Sequence, residues 1–109
     1  MKLSVISIAY NNLKGLQKTL AVFNGHNFSQ DIEILIVDGG SKDGTKGFLE
    51  TQTLTKNWLS EPDKGIYNAM NKGLAMANGD YVWFLNSGDY VEDFSLIEKL
   101  LNVLKQEPD

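Results

Sequence analysis

The chain has 109 residues, a formal net charge of -4 and no cysteine. That length suits one domain with a real core, near the lower limit for an enzyme on a doubly wound sheet, and the absence of cysteine excludes disulfides and thiolate chemistry. No basic run tracks a nucleic-acid backbone, so nucleic acid is not expected as a partner, whereas a nucleotide remains compatible if a metal ion or backbone N–H groups supply positive potential. The first strand pattern starts at once and no apolar run approaches the ~20 residues of a membrane span, so a cytoplasmic protein is expected.

Leu3 to Ala9 (LSVISIA) is apolar and β-branched, the pattern of a central strand covered on both faces. It stops at Tyr10-Asn11-Asn12, where Asn11 or Asn12 can cap a helix whose apolar positions Leu13, Leu16, Leu20 and Phe23 recur at helical spacing before Gly25. His26 to Ser29 reads as a surface loop, and the lone His26 has no second His or Cys with which to share a metal. Ile32 to Val37 is a second strand ending at Asp38-Gly39-Gly40-Ser41-Lys42-Asp43-Gly44-Thr45. The paired glycines permit a sharp, close-approaching turn, and Ser41 or Asp43 can cap the helix carrying Phe48 and Leu49. Asp38 can either bond the turn's own N–H groups or face a ligand.

Asn57 to Ser60 reads as a short strand, closed by Glu61-Pro62-Asp63-Lys64-Gly65. The next helix, about Ile66 to Ala77, places Ile66, Ala69, Met70, Gly73 and Ala77 on one face, with Met70 and Met76 as core filler. Gly73 in a helix interior costs roughly 1 kcal/mol against alanine, which points to close packing there. Gly79 ends that helix, and Tyr81 to Leu85 reads as a buried strand running into the polar turn Asn86-Ser87-Gly88-Asp89. Ser95 with Glu98 suggests a capping box ahead of a last helix with Ile97, Leu100, Leu101 and Leu104 on its buried stripe. Strands alternating with helices imply βαβ units and a three-layer α/β domain with a mostly parallel, Rossmann-like sheet, its first two strands adjacent. The turns after Ala9, Val37 and Leu85 then share one sheet edge, where ligands of such sheets sit.

Those motifs together resemble the N-terminal half of the inverting, nucleotide-sugar-dependent glycosyltransferases of family 2, which have the GT-A fold. The resemblance is carried by Ser4 to Asn11, Ile36 to Thr45, Glu61 to Gly73 and Gly79 to Asp89, in the family's order and spacing. The last two segments are most similar to enzymes of bacterial exopolysaccharide and surface-glycan synthesis. The resemblance implies that Ala9 and Tyr10 pack on the nucleotide base, that Asp38 reads the base or ribose, and that the Asn86–Asp89 segment holds the ribose and a Mg²⁺ or Mn²⁺ bridging the pyrophosphate. It further implies a UDP-sugar donor and a glycan or lipid-linked acceptor, with the full-length enzyme peripheral at the inner face of the membrane.

Three departures qualify it. Asn86 stands where the family usually has an acid and Gly88 where the metal-binding Asp falls, leaving Asp89 as the metal-site acid and the substrate's phosphates as the further ligands. Met70 occupies the usual place of an arginine, so Lys64 or Lys72 is expected to supply local positive charge. Residues 1–109 match only the nucleotide-binding part, so the base that deprotonates the acceptor has no counterpart, the piece is expected to be catalytically incomplete, and an exposed sheet edge is expected to favour self-association. Two rivals fit less well: a sugar-phosphate nucleotidyltransferase needs a Gly- and Arg-rich first turn, and a receiver or flavodoxin-like module needs an acidic pair or a Ser/Thr-rich loop there. Tyr10-Asn11-Asn12 is none of these.

Overall fold

A computed structural model describes residues 2–26, 31–89 and 94–106. Four parallel strands form one sheet in the order β3-β2-β1-β4, with β1 Leu3–Ala9, β2 Ile32–Asp38, β3 Trp58–Ser60 and β4 Tyr81–Phe84. Helices α1 Leu13–Ala21, α2 Thr45–Thr51 and α3 Ile66–Met76 fill the crossovers that parallel strands require, and α4 Phe94–Gln106 follows β4. β1 and β2 pair from Leu3 opposite Ile32 to Ala9 opposite Asp38, so residues of opposite parity share a face. One face carries Leu3, Val5, Ile34 and Ile36 against Leu16, Leu20, Leu49, Ile97 and Leu101 of the helices. The other carries Ile6, Ile8, Leu35 and Val37 against Ala69, with Met70 and Met76 packed alongside. That is the expected three-layer αβα arrangement, and each fully buried Leu or Ile contributes roughly 1.5–3 kcal/mol to it.

Gly73 explains how α3 lies so close: a Cβ there would stand 2.6 Å from Ile6 Cγ2. Several expectations shift by small amounts. α3 ends at Met76, and Ile66 is 53% exposed, because its turn faces the sheet's open edge instead of the core. The residue that caps α2 is Gly44, in the left-handed region at φ 93°; Asp43 bonds Thr45 from one position earlier. β4 is four residues long and half-buried, with Val82 exposed, since β4 is the last strand of the sheet and has a strand neighbour on one side. Leu85, expected inside the strand, is buried just beyond it. α4 starts at Phe94, so Ser95 lies inside its first turn and not ahead of it. Asn27, Phe28 and Ser29 of the expected loop lie outside the described residues, while His26 is exposed and stacks on Phe94 at 4.1 Å between ring centroids.

Candidate functional site

Ladder hydrogen bonds hang the turns after β2, β3 and β4 from the sheet. Gly39 N donates to the Ala9 carbonyl, Glu61 N to that of Asp38, Leu85 N to that of Ile6 and Ser87 N to that of Ile8. Each turn is thereby fixed to the strand beside it.

Side chains then tie the turns together. Asn11 adopts φ 50°, a left-handed conformation that asparagine tolerates; its N–H donates to Ser41 Oγ at 2.7 Å and its Oδ1 accepts from Lys42 N at 2.8 Å. Asn12 caps α1 by accepting from Gly15 N, and its carbonyl accepts from Ser87 Oγ at 2.9 Å. Asp43 accepts from Thr45 Oγ1 at 2.6 Å and from Leu13 N at 2.9 Å. The Thr45 hydroxyl, then the Leu13 N–H, hold its carboxyl below the ordinary aspartate range.

Between the turns lies a cavity of about 710 Å³, lined by Ala9, Tyr10 and Asn12 after β1, Gly39, Gly40 and Lys42 after β2, Asp63 and Ile66 before and in α3, and Asn86 and Ser87 after β4, among others. Gly39 and Gly40 are what let the Pro62–Asp63 segment close one wall. A Cβ on Gly39 would stand 2.6 Å from Asp63 Oδ2, and one on Gly40 3.2 Å from the Pro62 backbone. Asn86 Oδ1 is buried at the cavity wall with no hydrogen-bond partner among the described residues. A desolvated acceptor left unpaired costs about 1–3 kcal/mol, which a ligand's donor or a cation would recover.

The structure brings Ala9, Tyr10 and Asn86 to that cavity. Asp38 sits beneath it, fully buried, accepting from Ser41 N at 3.1 Å, Ser41 Oγ and Ser60 Oγ at 2.8 Å. Direct contact with a ligand would require that turn to open. Lys64 is exposed and outside the lining, and Lys72 pairs with Glu61 at 3.0 Å and donates to the Pro62 carbonyl, bracing the wall from behind. Asp89 is exposed, its Oδ2 accepting from Asn86 N at 2.8 Å. Sequence reasoning missed Asn12, Lys42 and Asp63 as lining residues. The Gly39-Gly40 pair signalled a close approach there without naming what approaches.

Residues 4–109 match the sequence profile of Glycosyl transferase family 2. The chain belongs to that family. An uncharacterized glycosyltransferase of Mycobacterium tuberculosis is 44% identical over 79% of this chain and 33% of its own length. Poly(ribitol-phosphate) beta-N-acetylglucosaminyltransferase TarP of Staphylococcus aureus is 32% identical over 96% of this chain and 33% of its own. Among solved structures, S. aureus TarS 1-349 in complex with UDP-GlcNAc superposes with a TM-score of 0.71 at 27% identity, over 96% of this chain and 32% of that one. A Pyrobaculum calidifontis mannosyltransferase solved with GDP-Man and Mn²⁺ gives a TM-score of 0.78 at 23% identity, a likeness that bears on the fold alone. This family 2 chain thus spans about a third of the length of the relatives it matches.

The family's usual acidic signature is reduced here to Asn86-Ser87-Gly88-Asp89, and among the described residues no group of three or more His, Asp or Glu side chains converges to cage a metal. The oxygens available in that turn are the exposed Asp89 carboxylate, which stands outside the cavity lining and accepts from Asn86 N, and the buried Asn86 Oδ1. That set fits a hard cation which keeps waters and takes substrate phosphates as its other ligands, as Mg²⁺ does.

Proposed function

We propose that this chain is the donor-binding part of a glycosyltransferase that moves a sugar from a nucleotide-diphosphate sugar, UDP-linked, to a glycan or lipid-linked acceptor with inversion, in bacterial polysaccharide synthesis. The observation that carries the proposal is the cavity at the carboxyl ends of the strands, lined from the turns after β1, β2 and β4, with the buried, unpaired Asn86 Oδ1 on one of its lining residues. UDP is favoured because TarS, 27% identical, was solved with UDP-GlcNAc. The acceptor class draws on TarP, whose named activity specifies a poly(ribitol-phosphate) acceptor.

In this reading the Tyr10 ring, 64% exposed at the rim, folds over the nucleobase, and the Gly39–Gly40 backbone, close against Pro62 and Asp63, forms the wall beside the nucleoside. Asp38 positions that wall through Ser41 and Ser60. Lys42, at the cavity, supplies positive charge for which Lys64 is less well placed. A Mg²⁺ or Mn²⁺ held by Asp89 and Asn86 Oδ1 would neutralise the leaving diphosphate as a Lewis acid. No residue of this chain is assigned as the acceptor's base.

Calorimetric titration with UDP, with and without Mn²⁺ and with ADP as control, tests the proposal. Selective UDP binding that strengthens with Mn²⁺ is the expected result. Equal binding of ADP, or no binding by a folded sample, would overturn it.

A further inference from the structure

We propose that Thr19 of α1 is a positioning residue for the donor site, fixing the Asn86–Asp89 turn so that Asn86 Oδ1 and the Asp89 carboxylate face the diphosphate end of the ligand; the role rests on the donor-site reading above. Thr19 lies outside the cavity lining and is 2% exposed, on the buried side of α1 with Leu16 and Leu20. A threonine inside a helix ordinarily returns its hydroxyl to a carbonyl of the preceding turn. Here the hydroxyl is spent on another element. Its oxygen accepts from Gly88 N at 3.0 Å, and its hydrogen is directed at the Asp89 carbonyl at 3.0 Å, with the Asn86 carbonyl at 3.5 Å.

The turn needs that external hold. Its internal bonds are Asp89 N to the Asn86 carbonyl and Asn86 N to Asp89 Oδ2, and the second uses the very carboxylate that a cation would claim. When Asp89 turns to a metal, that bond competes with the metal, and the backbone must be held by something else. Thr19 supplies two bonds at the far end of the turn, and Ser87 Oγ to the Asn12 carbonyl anchors the near end on the same helix. α1 therefore grips the turn from its N-cap, Asn12, and from its second helical turn, at Thr19. Gly88, at φ 92° with its N–H directed to Thr19, takes the left-handed conformation that this grip requires.

The test compares the 109-residue chain with Thr19→Val, which keeps the shape and removes the hydroxyl, and Thr19→Ser, which keeps the hydroxyl. Amide hydrogen exchange reads the turn directly, and UDP titration with Mn²⁺ reads the site. In Thr19→Val the Gly88 amide is expected to exchange roughly tenfold faster while core β1 amides stay protected, and UDP affinity with Mn²⁺ to fall roughly tenfold, the loss of one to two hydrogen bonds. Thr19→Ser is expected to match the wild type in both readouts even where the missing methyl lowers its melting temperature. Unchanged Gly88 exchange and UDP affinity in Thr19→Val, or equal losses in Thr19→Ser, would overturn the role. A wild-type chain that binds no UDP overturns the donor-site reading and this role with it, and the exchange data then still report whether the hydroxyl holds the turn.

Discussion

Strand β2 carries a carboxylate near each end, and both are bonded to serine hydroxyls and backbone N–H groups, yet only the carboxyl end opens on the cavity proposed as the donor site. At the carboxyl end Asp38 is met by Ser41 and Ser60. Toward the amino end Glu33 Oε2 accepts from Ser4 Oγ and from Asn78 N, while Gly79 N donates to the same Ser4 oxygen. The chemistry is alike; the packing differs. At the Glu33 end the chain closes flush on the sheet, and a Cβ on Gly79 would lie 2.7 Å from the Lys2 carbonyl and 2.8 Å from Ser4 N. At the Asp38 end Gly39 faces the tip of a side chain, Asp63, and the turns stand apart around a cavity whose lining includes Asn86, with its unpaired acceptor. A braced carboxylate is therefore a turn device in itself. Open space and leftover polar groups make the site.

The glycines offer the strongest way to break that contrast. Gly79→Ala drives a methyl into backbone atoms that cannot yield, and a cost of about 2 kcal/mol, or a fall of roughly 10 °C in melting temperature, is expected in a thermal melt. Next in size is Asp38→Asn, which turns an NH₂ toward the Ser41 and Ser60 donors. A loss of about 1–3 kcal/mol by urea denaturation is expected, together with weaker UDP binding as the Gly39 wall relaxes. Gly39→Ala should do the reverse of Gly79→Ala: stability within about 0.5 kcal/mol of wild type, because the Asp63 tip can swing away, but reduced UDP affinity by titration because it swings into the cavity.

The smallest effect expected is in acid. Burial, the largest influence on the Glu33 carboxyl, pushes its pKa up, but the bonds from Ser4 and Asn78 and the charge of Lys2 outweigh it, and the net shift is below the ordinary 4.5. A carboxyl depressed in the folded state contributes stability above its unfolded pKa, and that contribution fades as pH falls through the folded value. The difference in melting temperature between wild type and Glu33→Gln should therefore shrink below about pH 4.5 and be constant above it.

Much of this was legible in the sequence where one physical rule acts alone. β1 and β2 are uniform apolar β-branched runs with a covering layer on each face, and their limits follow directly; the switch from such runs to Asn, Asp and Gly marks the site edge. Gly73 announced close packing because a helix tolerates it only for a reason. What was not legible depends on where a side chain turns once its backbone is placed. Asp38 stands at the predicted strand end but faces inward to two serines, one of them far away on β3. Lys64 and Lys42 are both loop lysines, and nothing local says which borders the cavity. β4 reads as buried because Tyr81 to Leu85 are all apolar or aromatic, and its half-exposure follows from its place at the sheet's end, a property of strand order. The grip of Thr19 on a turn 69 residues away could not be read at all.

The central claim is that the carboxyl edge of the sheet, and not its amino edge, binds a nucleotide. Amide chemical-shift mapping of the isotopically labelled chain with UDP and Mn²⁺ tests it most directly. Shifts concentrated at Ala9, Tyr10, Gly39, Gly40, Asn86 and Ser87, with Glu33, Asn78 and Gly79 silent, are the predicted result. Shifts centred on Asn78 and Gly79, or no shifts from a folded chain at saturating UDP, would contradict it.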